Sequence, residues 1–432
     1  MQEAATASSL RDELLDPRPR GGRRPHVVVV GGGFGGLYAA KAFADQPVRV
    51  TVVDRRNHHL FQPLLYQVAT AALSPGDIAE PIRGVLARQR NTRVFLADVQ
   101  GVDAANRRVV LADGELKYDY LIMATGAGQS YFGHDEWEPL APGLKTVRDA
   151  LEIRRRILLA FEKAERERDV TRCEALLTFV VIGGGPTGVE LAGALGEIAR
   201  KTFARDFRRI DTTQARILLL EGSPRILATY PEKLSAAAER HLEAVGVEVR
   251  ASARVTKITD DAVFVGEERI PACTVLWAAG VLASPVLKTL GVPLDRAGRV
   301  VVEPDLTIPG HPEIYVVGDA SSFTHEDGKP LPGVAPVAIQ QGIAAAENIL
   351  RTEAGEPRAR FHYENKGSLA TVGRGFAVAD LGWIQLHGYT AWLAWFFVHI
   401  YFLVGFGDRM VVILRWIWAY FTFQRGVRLI AN

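Results

Sequence analysis

His26-Val-Val-Val-Val30-Gly31-Gly-Gly33-Phe-Gly-Gly36 decides how this chain folds. The valine run suits a strand buried on both faces of a parallel sheet. It passes without a linker into Gly-x-Gly-x-x-Gly, after which residues 37–44 read as a helix. A second apolar strand, 48–53, follows and ends at Asp54. In such a unit the first glycine permits the tight turn and the second lets backbone approach a pyrophosphate. The third lets helix and strand pack closely, while the helix N-terminus faces the anion. Asp54 stands 18 residues after Gly36, near the ~20 at which an acid can hold a ribose hydroxyl.

The pattern recurs. Residues 178–182 run into Gly183-Gly-Gly185-Pro-Thr-Gly188, a helical stretch over 189–201, and a strand over 215–220 ending at Glu221. The first copy continues through a hairpin-like 107–111 with an Asp113-Gly114 turn. Its strand 120–123 then ends in Ala124-Thr125-Gly126. The second continues through a hairpin-like 253–265 to strand 274–277, ending in Ala278-Ala279-Gly280. The glycine loops are 152 residues apart and the strand-end motifs 154, so one architecture is used twice. The expected fold is α/β: two Rossmann-like dinucleotide-binding domains, the second inserted in the first. Glu221 lies 33 residues after Gly188, a spacing that implies an insertion over 202–214. Carboxylates at Asp54 and Glu221 would accept from a 2′-hydroxyl and repel a 2′-phosphate, favouring NADH over NADPH. Arg225 is close enough in sequence to blur that preference.

Composition narrows the classes. With 432 residues, 48% hydrophobic and 23% charged, the chain is long and apolar enough for two domains plus an appendage. A net charge of +2 gives no general pull toward nucleic acid. Two distant cysteines, Cys173 and Cys273, exclude a disulfide framework, a CxxC metal site and a paired redox dithiol. His58 and His59 are adjacent with no third ligand, so no metal site is expected. Residues 1–25 mix five arginines with four acids and lack an apolar core. They read as a disordered tail, or as a basic arm touching anionic lipid, rather than a signal peptide.

Glu313-Ile-Tyr-Val-Val-Gly318-Asp319-Ala320 is a further buried strand ending in Gly-Asp. With it, residues 26–375 resemble the two-dinucleotide-binding-domain flavoproteins. The resemblance implies non-covalent FAD on the first loop and NADH on the second. It assigns to FAD Gly31, Gly33, Phe34, Gly35, Gly36, Asp54, Arg55, Val99, Ala124, Thr125, Gly126, Gly318, Asp319 and Ala338. To NADH it assigns Gly183, Gly185, Pro186, Thr187, Gly188, Glu190, Glu221, Ala279 and Gly280. The implied domains are 26–145 and 301–375 for FAD, 146–300 for NADH, and 376–432 for C-terminal membrane-associating helices.

Four segments resemble one family, the type II (alternative) NADH:quinone oxidoreductases. They are His59-Leu-Phe-Gln-Pro-Leu-Leu-Tyr-Gln67, Gly184-Gly-Pro-Thr-Gly-Val-Glu190, Ala335-Pro-Val-Ala-Ile-Gln-Gln341 and Lys366-Gly-Ser-Leu-Ala-Thr-Val-Gly-Arg374. The resemblance implies hydride transfer from NADH to FAD and two electrons on to a membrane quinone, without proton pumping. Glu190, Gln340 and Lys366 would carry the chemistry, with Gln340, Gln341 and Lys366 toward quinone. The family's motif Ala-Gln-x-x-x-Gln departs here, because Pro336 holds the first glutamine position and only Gln340 matches. A helix acid favoured by the macrodipole, a helix turn under the flavin and a solvated lysine are the plain alternatives for Glu190, Gln340/Gln341 and Lys366. A soluble NADH-dependent ferredoxin-type reductase and a non-enzymatic FAD/NADH redox sensor are the competing functions.

From Thr390 the composition turns apolar and aromatic, interrupted in 392–404 only by His399. Residues 390–407 would span ~27 Å as a helix, marginal against a ~30 Å bilayer core. In 410–423, Arg415 begins a narrow polar or small stripe continued by Ala419, Thr422 and Gly426. In-plane helices on a lipid surface fit best, with a true span, a homodimer interface or a buried core as the other uses. The expected location is peripheral, on the cytoplasmic face of a bacterial inner membrane.

Overall fold

The structure, a computed structural model, describes residues 24–204, 206–325, 328–403, 409–414, 416 and 427–430. The tail 1–23 and the whole stripe Arg415, Ala419, Thr422 and Gly426 lie outside the described residues. Two compact units divide the chain, the first from residues up to His59, 81–127 and 282–364 and the second from 60–80, 128–281 and 365 onward.

In the first unit the valine run behaves as its composition requires. His26–Val30 pairs in parallel with Arg49–Asp54 on one side and Tyr120–Met123 on the other. The six-stranded sheet runs Thr307–Ile308, His311–Val316, Tyr120–Met123, His26–Val30, Arg49–Asp54, Thr92–Leu96. Only its first pair is antiparallel. Alternate valines serve different cores. Val27 and Val29 join Leu37, Phe43, Ala345 and Ile349, beneath the helices Phe34–Ala42 and Ala335–Glu353. Val28 and Val30 join Val109, Leu121, Leu287 and Val316 on the opposite face. Burying each valine contributes about 1.5–3 kcal/mol, so a polar residue at any of the four would cost a core rather than a surface.

In the second unit a four-stranded parallel sheet runs Val247–Arg250, Arg216–Leu220, Thr178–Ile182, Thr274–Trp277. The second fingerprint helix is Pro186–Glu197, continued by a π turn over Ile198–Thr202. The insertion anticipated over 202–214 is pinned by Glu165, whose carboxylate accepts from the backbone N–H of Arg208, Arg209 and Ile210. By packing, the chain changes unit at 127/128 and 281/282, whereas the repeat places the edges at 145/146 and 300/301. The reason is Tyr131, Trp137 and Ala141, which sit in the core of the second unit with Trp277.

The C-terminal region also differs in detail. Residues 376–388, grouped with the helices by the sequence, instead contribute Ala377–Asp380 and Gln385–Gly388 to an antiparallel sheet with Ser368–Thr371. The helix then runs Tyr389–Phe402. No described helix is long and apolar enough to cross a membrane.

Candidate active site and nucleotide cradles

The three glycines of each loop do three different jobs. Gly31 has φ +104°, and a Cβ there would sit 2.2 Å from the Ala124 carbonyl oxygen. Gly183 repeats this with φ +110° and a Cβ 2.8 Å from Ala278. At the third positions, a Cβ on Gly36 or Gly188 would lie 1.9 or 1.8 Å from the carbonyl oxygen of its own first glycine. At the second positions, Gly33 and Gly185, a Cβ would meet no atom within 4 Å. That is the geometry of a backbone edge open to a pyrophosphate, so the residues fit a bound dinucleotide in both units.

Between those glycines sits a residue whose peptide is clamped at both ends. The Gly32 N–H donates to Asp54 at 2.7 Å, and the other Asp54 oxygen accepts from Arg56 N–H at 2.7 Å. Gly184 N–H donates to Glu221 at 2.6 Å, and the other Glu221 oxygen accepts from Ser223 N–H at 2.6 Å. An ionised carboxylate offers about four lone-pair sites, so each acid holds its loop and keeps capacity for a ribose hydroxyl. The carbonyls are held differently. Gly184 C=O accepts from Leu227 N–H at 2.7 Å, and Gly32 C=O accepts from the His59 imidazole at 3.0 Å. A carbonyl can only accept, so Nδ1 carries the proton and Nε2 is a bare lone pair, buried without a partner among the described residues. Desolvation lowers the His59 pKa to about 4, which keeps the ring neutral. Phe34 meets it edge-on at 5.0 Å. In the sequence His59 opens a family motif and, beside His58, lacks a third metal ligand; its 27-residue separation from Gly32 gives no signal of this contact.

In the first unit the Gly-Asp turn joins the loop. Gly318 has φ +68°, and a Cβ there would touch Ala338 at 3.0 Å. Gly35 packs between Val317 and the Ala338 carbonyl. Gln341 is fully buried, and its side-chain oxygen accepts from Gly318 N–H at 2.7 Å and Ser321 Oγ at 2.9 Å. It therefore sets the turn, with Nε2 buried and unpartnered among the described residues. Asp319 has no hydrogen bond or ion pair among the described residues. Thr125 Oγ1 is likewise buried without a partner, before Gly126 at φ +65°. Val99 is half-buried and Arg55 exposed.

Gln340 is engaged too. Its amide donates to the Glu364 carbonyl and accepts the Glu364 N–H, both at 2.9 Å. Pro336 occupies the first turn of Ala335–Glu353, where its missing N–H costs nothing. Lys366 is exposed and belongs to the second unit.

Also in the second unit, Glu190 is buried on the fingerprint helix. Its only hydrogen bond among the described residues is a long one, 3.4 Å, from Thr371 N–H. A Cβ on Gly193, one turn on, would lie 2.8 Å from Gly373 N, so helix and turn are in backbone contact. Desolvation raises the Glu190 pKa to about 8, against the small lowering effect of the Thr371 amide. Pro186 and Thr187 are exposed beside Gly185, and Ala279 and Gly280 are half-buried at the strand end. Arg225 donates to the carbonyls of Leu227, Ala228 and Tyr230. That spends it on its own loop rather than on a 2′-phosphate.

The tail helix is one-sided. Ala391, Trp395 and His399 are buried, while Tyr389, Phe397 and Tyr401 are 52–72% exposed. His399 lies on the buried side of the helix: its Nδ1 donates to the Trp395 carbonyl at 2.7 Å, and burial lowers its pKa to about 4.

Residues 25–342 match the pyridine nucleotide-disulphide oxidoreductase family model. The chain is 45% identical over 419 residues to the type II NADH:quinone oxidoreductase NdhA of Mycobacterium tuberculosis, covering 93% of this chain and 88% of that protein. It is 30% identical to the demethylphylloquinone reductase NdbB of Synechocystis, over 91% of this chain and 96% of that one. Among solved structures, NDH2 of Plasmodium falciparum in complex with NADH superposes with TM-score 0.86 at 20% identity, covering 95% of this chain and all of that one. The chain thus belongs to the pyridine nucleotide-disulphide oxidoreductases and, among them, to the type II NADH:quinone oxidoreductases, FAD-dependent enzymes that oxidise NADH with a quinone.

Proposed function

We propose that Glu190 is the residue that handles protons in this reaction. NADH delivers two electrons and one proton's equivalent as hydride, whereas a quinone taking two electrons needs two protons. FAD, when bound, supplies hydride acceptance and two-electron transfer; the chain must supply position and the remaining proton. Glu190 supports this reading best, because a carboxyl with a pKa near 8 is protonated at neutral pH and close enough to it to cycle. Lys366 is assigned to stabilise developing negative charge, and Gln340 to meet the quinone by exchanging its Glu364 pairing. Glu221, with Arg225 otherwise engaged, is assigned to discriminate against NADPH.

The test is E190Q. In the holoenzyme, flavin reduction by NADH should persist while quinone reduction slows by about 10²-fold, and the fall in rate above about pH 8 should disappear. Equal loss in both half-reactions, or an unchanged pH profile, would refute the role.

The tail helix is assigned to lie in the plane of a membrane surface, on the cytoplasmic face of a bacterial inner membrane. Fourteen residues reach only ~21 Å, and the exposed edge of Phe397 and Tyr401, with Trp383 83% exposed, matches interfacial insertion. F397S/Y401S should release the enzyme from vesicles while leaving its reaction with a short-chain quinone intact. Retention on vesicles would refute the assignment.

A further inference from the structure

Phe132 combines two features that each need a reason. Its apolar ring is 63% exposed, and its backbone sits at φ +55°, a left-handed conformation uncommon for a bulky side chain. Such a conformation persists only where the surroundings over-determine it, and here they do. Tyr131 is turned inward, its ring 5.0 Å from that of Trp277 and its hydroxyl donating to the Ala141 carbonyl at 2.9 Å. The Trp277 indole N–H donates to the Ser130 carbonyl at 2.9 Å. With its two predecessors fixed on Trp277, Phe132 is carried to the outside. Its ring edge rests on Gly280, where a Cβ would lie 2.7 Å from Phe132 Cζ. The glycine that closes the strand-end motif therefore makes room for an aromatic ring.

The place of that ring in the second unit gives it a task. In the sheet order 247–250, 216–220, 178–182, 274–277 the direction of winding reverses between 178–182 and 274–277. Open parallel sheets bind their ligands outside the carboxyl ends of the strands at such a reversal. The two strand ends meet there: Ala278 N–H donates to the Ile182 carbonyl at 2.7 Å, and a Cβ on Gly183 would lie 2.8 Å from Ala278. Phe132 reaches the same edge two residues further on, through Gly280. Glu221 follows the strand on the other side of 178–182. A dinucleotide with its adenosine ribose at Glu221 and its pyrophosphate across the glycine loop carries its nicotinamide half toward 278–280, where the exposed ring stands.

We infer that Phe132 is a binding wall for the nicotinamide half of NADH, which lies in stacking or edge contact with its exposed ring. This rests on the placement of NADH at the second glycine loop with Glu221 on the adenosine side. A nicotinamide ring is planar and largely apolar on its faces, the kind of surface an aromatic side chain holds well. The two ends of the ligand are then read by different residues, Glu221 for the adenosine and Phe132 for the nicotinamide.

The experiment is anaerobic stopped-flow reduction of the flavin in the holoenzyme, with NADH varied and ADP added as competitor. ADP carries the adenosine and the diphosphate but no nicotinamide. F132A should raise the NADH concentration for half-maximal reduction about tenfold, the size of one lost aromatic contact, and leave inhibition by ADP unchanged. F132Y keeps the ring and should restore the wild-type value. F132G removes the ring and suits the left-handed backbone, so it should fold, retain its flavin and show the same loss for NADH. The inference is overturned if F132A leaves half-saturation by NADH unchanged, or if it weakens ADP as much as NADH, the mark of a merely structural role. E221Q separates this result from the placement beneath it, because it should weaken ADP. If E221Q leaves ADP unaffected, the placement of NADH falls and the inference with it. If E221Q weakens ADP while F132A changes nothing, the inference alone falls.

Discussion

The two glycine loops perform one task with different materials. Both hold the peptide of the middle residue at its two ends, and both use the strand-end carboxylate for the N–H. For the carbonyl, the second loop uses the backbone N–H of Leu227, whose own φ is +47°. The first loop uses the imidazole of His59. A backbone donor is independent of residue identity and pH, but it asks a leucine to adopt a left-handed conformation that costs roughly 1 kcal/mol. An imidazole donor spares the backbone, yet it must stay neutral and buried. The first loop should therefore be the acid-sensitive one of the pair.

The largest expected effects come from the glycines whose Cβ has nowhere to go. G36A and G188A each drive a methyl into a carbonyl oxygen, so each should abolish its own cradle, read as flavin content for the first and NADH-driven flavin bleaching for the second. G33A and G185A put a methyl into open space, so those proteins should fold and lose cofactor affinity alone. If G33A fails to fold, the division of labour among the three glycines is wrong.

Next in size is the acid pair. E221Q should raise KM for NADH about tenfold, as expected for weakening one charge-assisted hydrogen bond worth about 1.4 kcal/mol. It should also narrow the kcat/KM gap between NADH and NADPH and leave flavin content unchanged. D54N should do the reverse, lowering flavin content without changing the nucleotide preference. Effects that cross between the two cofactors would break the comparison.

The smallest effect is the most specific. The folded-state pKa of His59, about 4, lies below its unfolded value of 6.5. The unfolded chain thus binds more protons in this window, and stability falls as pH drops from 6.5 toward 4. Glu190 has the opposite sign: raised from 4.5 to about 8, it favours the folded state at low pH and loses that contribution as pH rises through 8. FAD release measured by fluorescence should increase as pH falls from 6.5 to 4, and H59Q should flatten that profile at the cost of weaker retention at pH 7. A profile unchanged by H59Q would mean the imidazole is not the sensitive clamp.

Both βαβ units were legible because their signals are local: valine runs, glycine spacing and strand-end acids lie within tens of residues. The clamp on Gly32 was not, since nothing in a histidine's neighbours tells which distant carbonyl it will meet. Gln340 and Gln341 look alike in sequence, yet one pairs with backbone at Glu364 and the other is buried under Gly318. Helix register separates them, and adjacent residues point ~100° apart. A helix apolar all round hides which face packs inward, so the buried Ala391–Trp395–His399 line needed the structure. Arg225 read as a threat to NADH selectivity because its carbonyl partners lie in an irregular loop with no sequence signature.

In this enzyme electrons leave the flavin for a quinone. Anaerobic stopped-flow absorbance on the holoenzyme tests it most directly: bleach the flavin with one equivalent of NADH, then mix with a short-chain quinone. The oxidised flavin spectrum should return in full, with one quinol formed per NADH. A flavin that bleaches and stays bleached in the presence of quinone would contradict it.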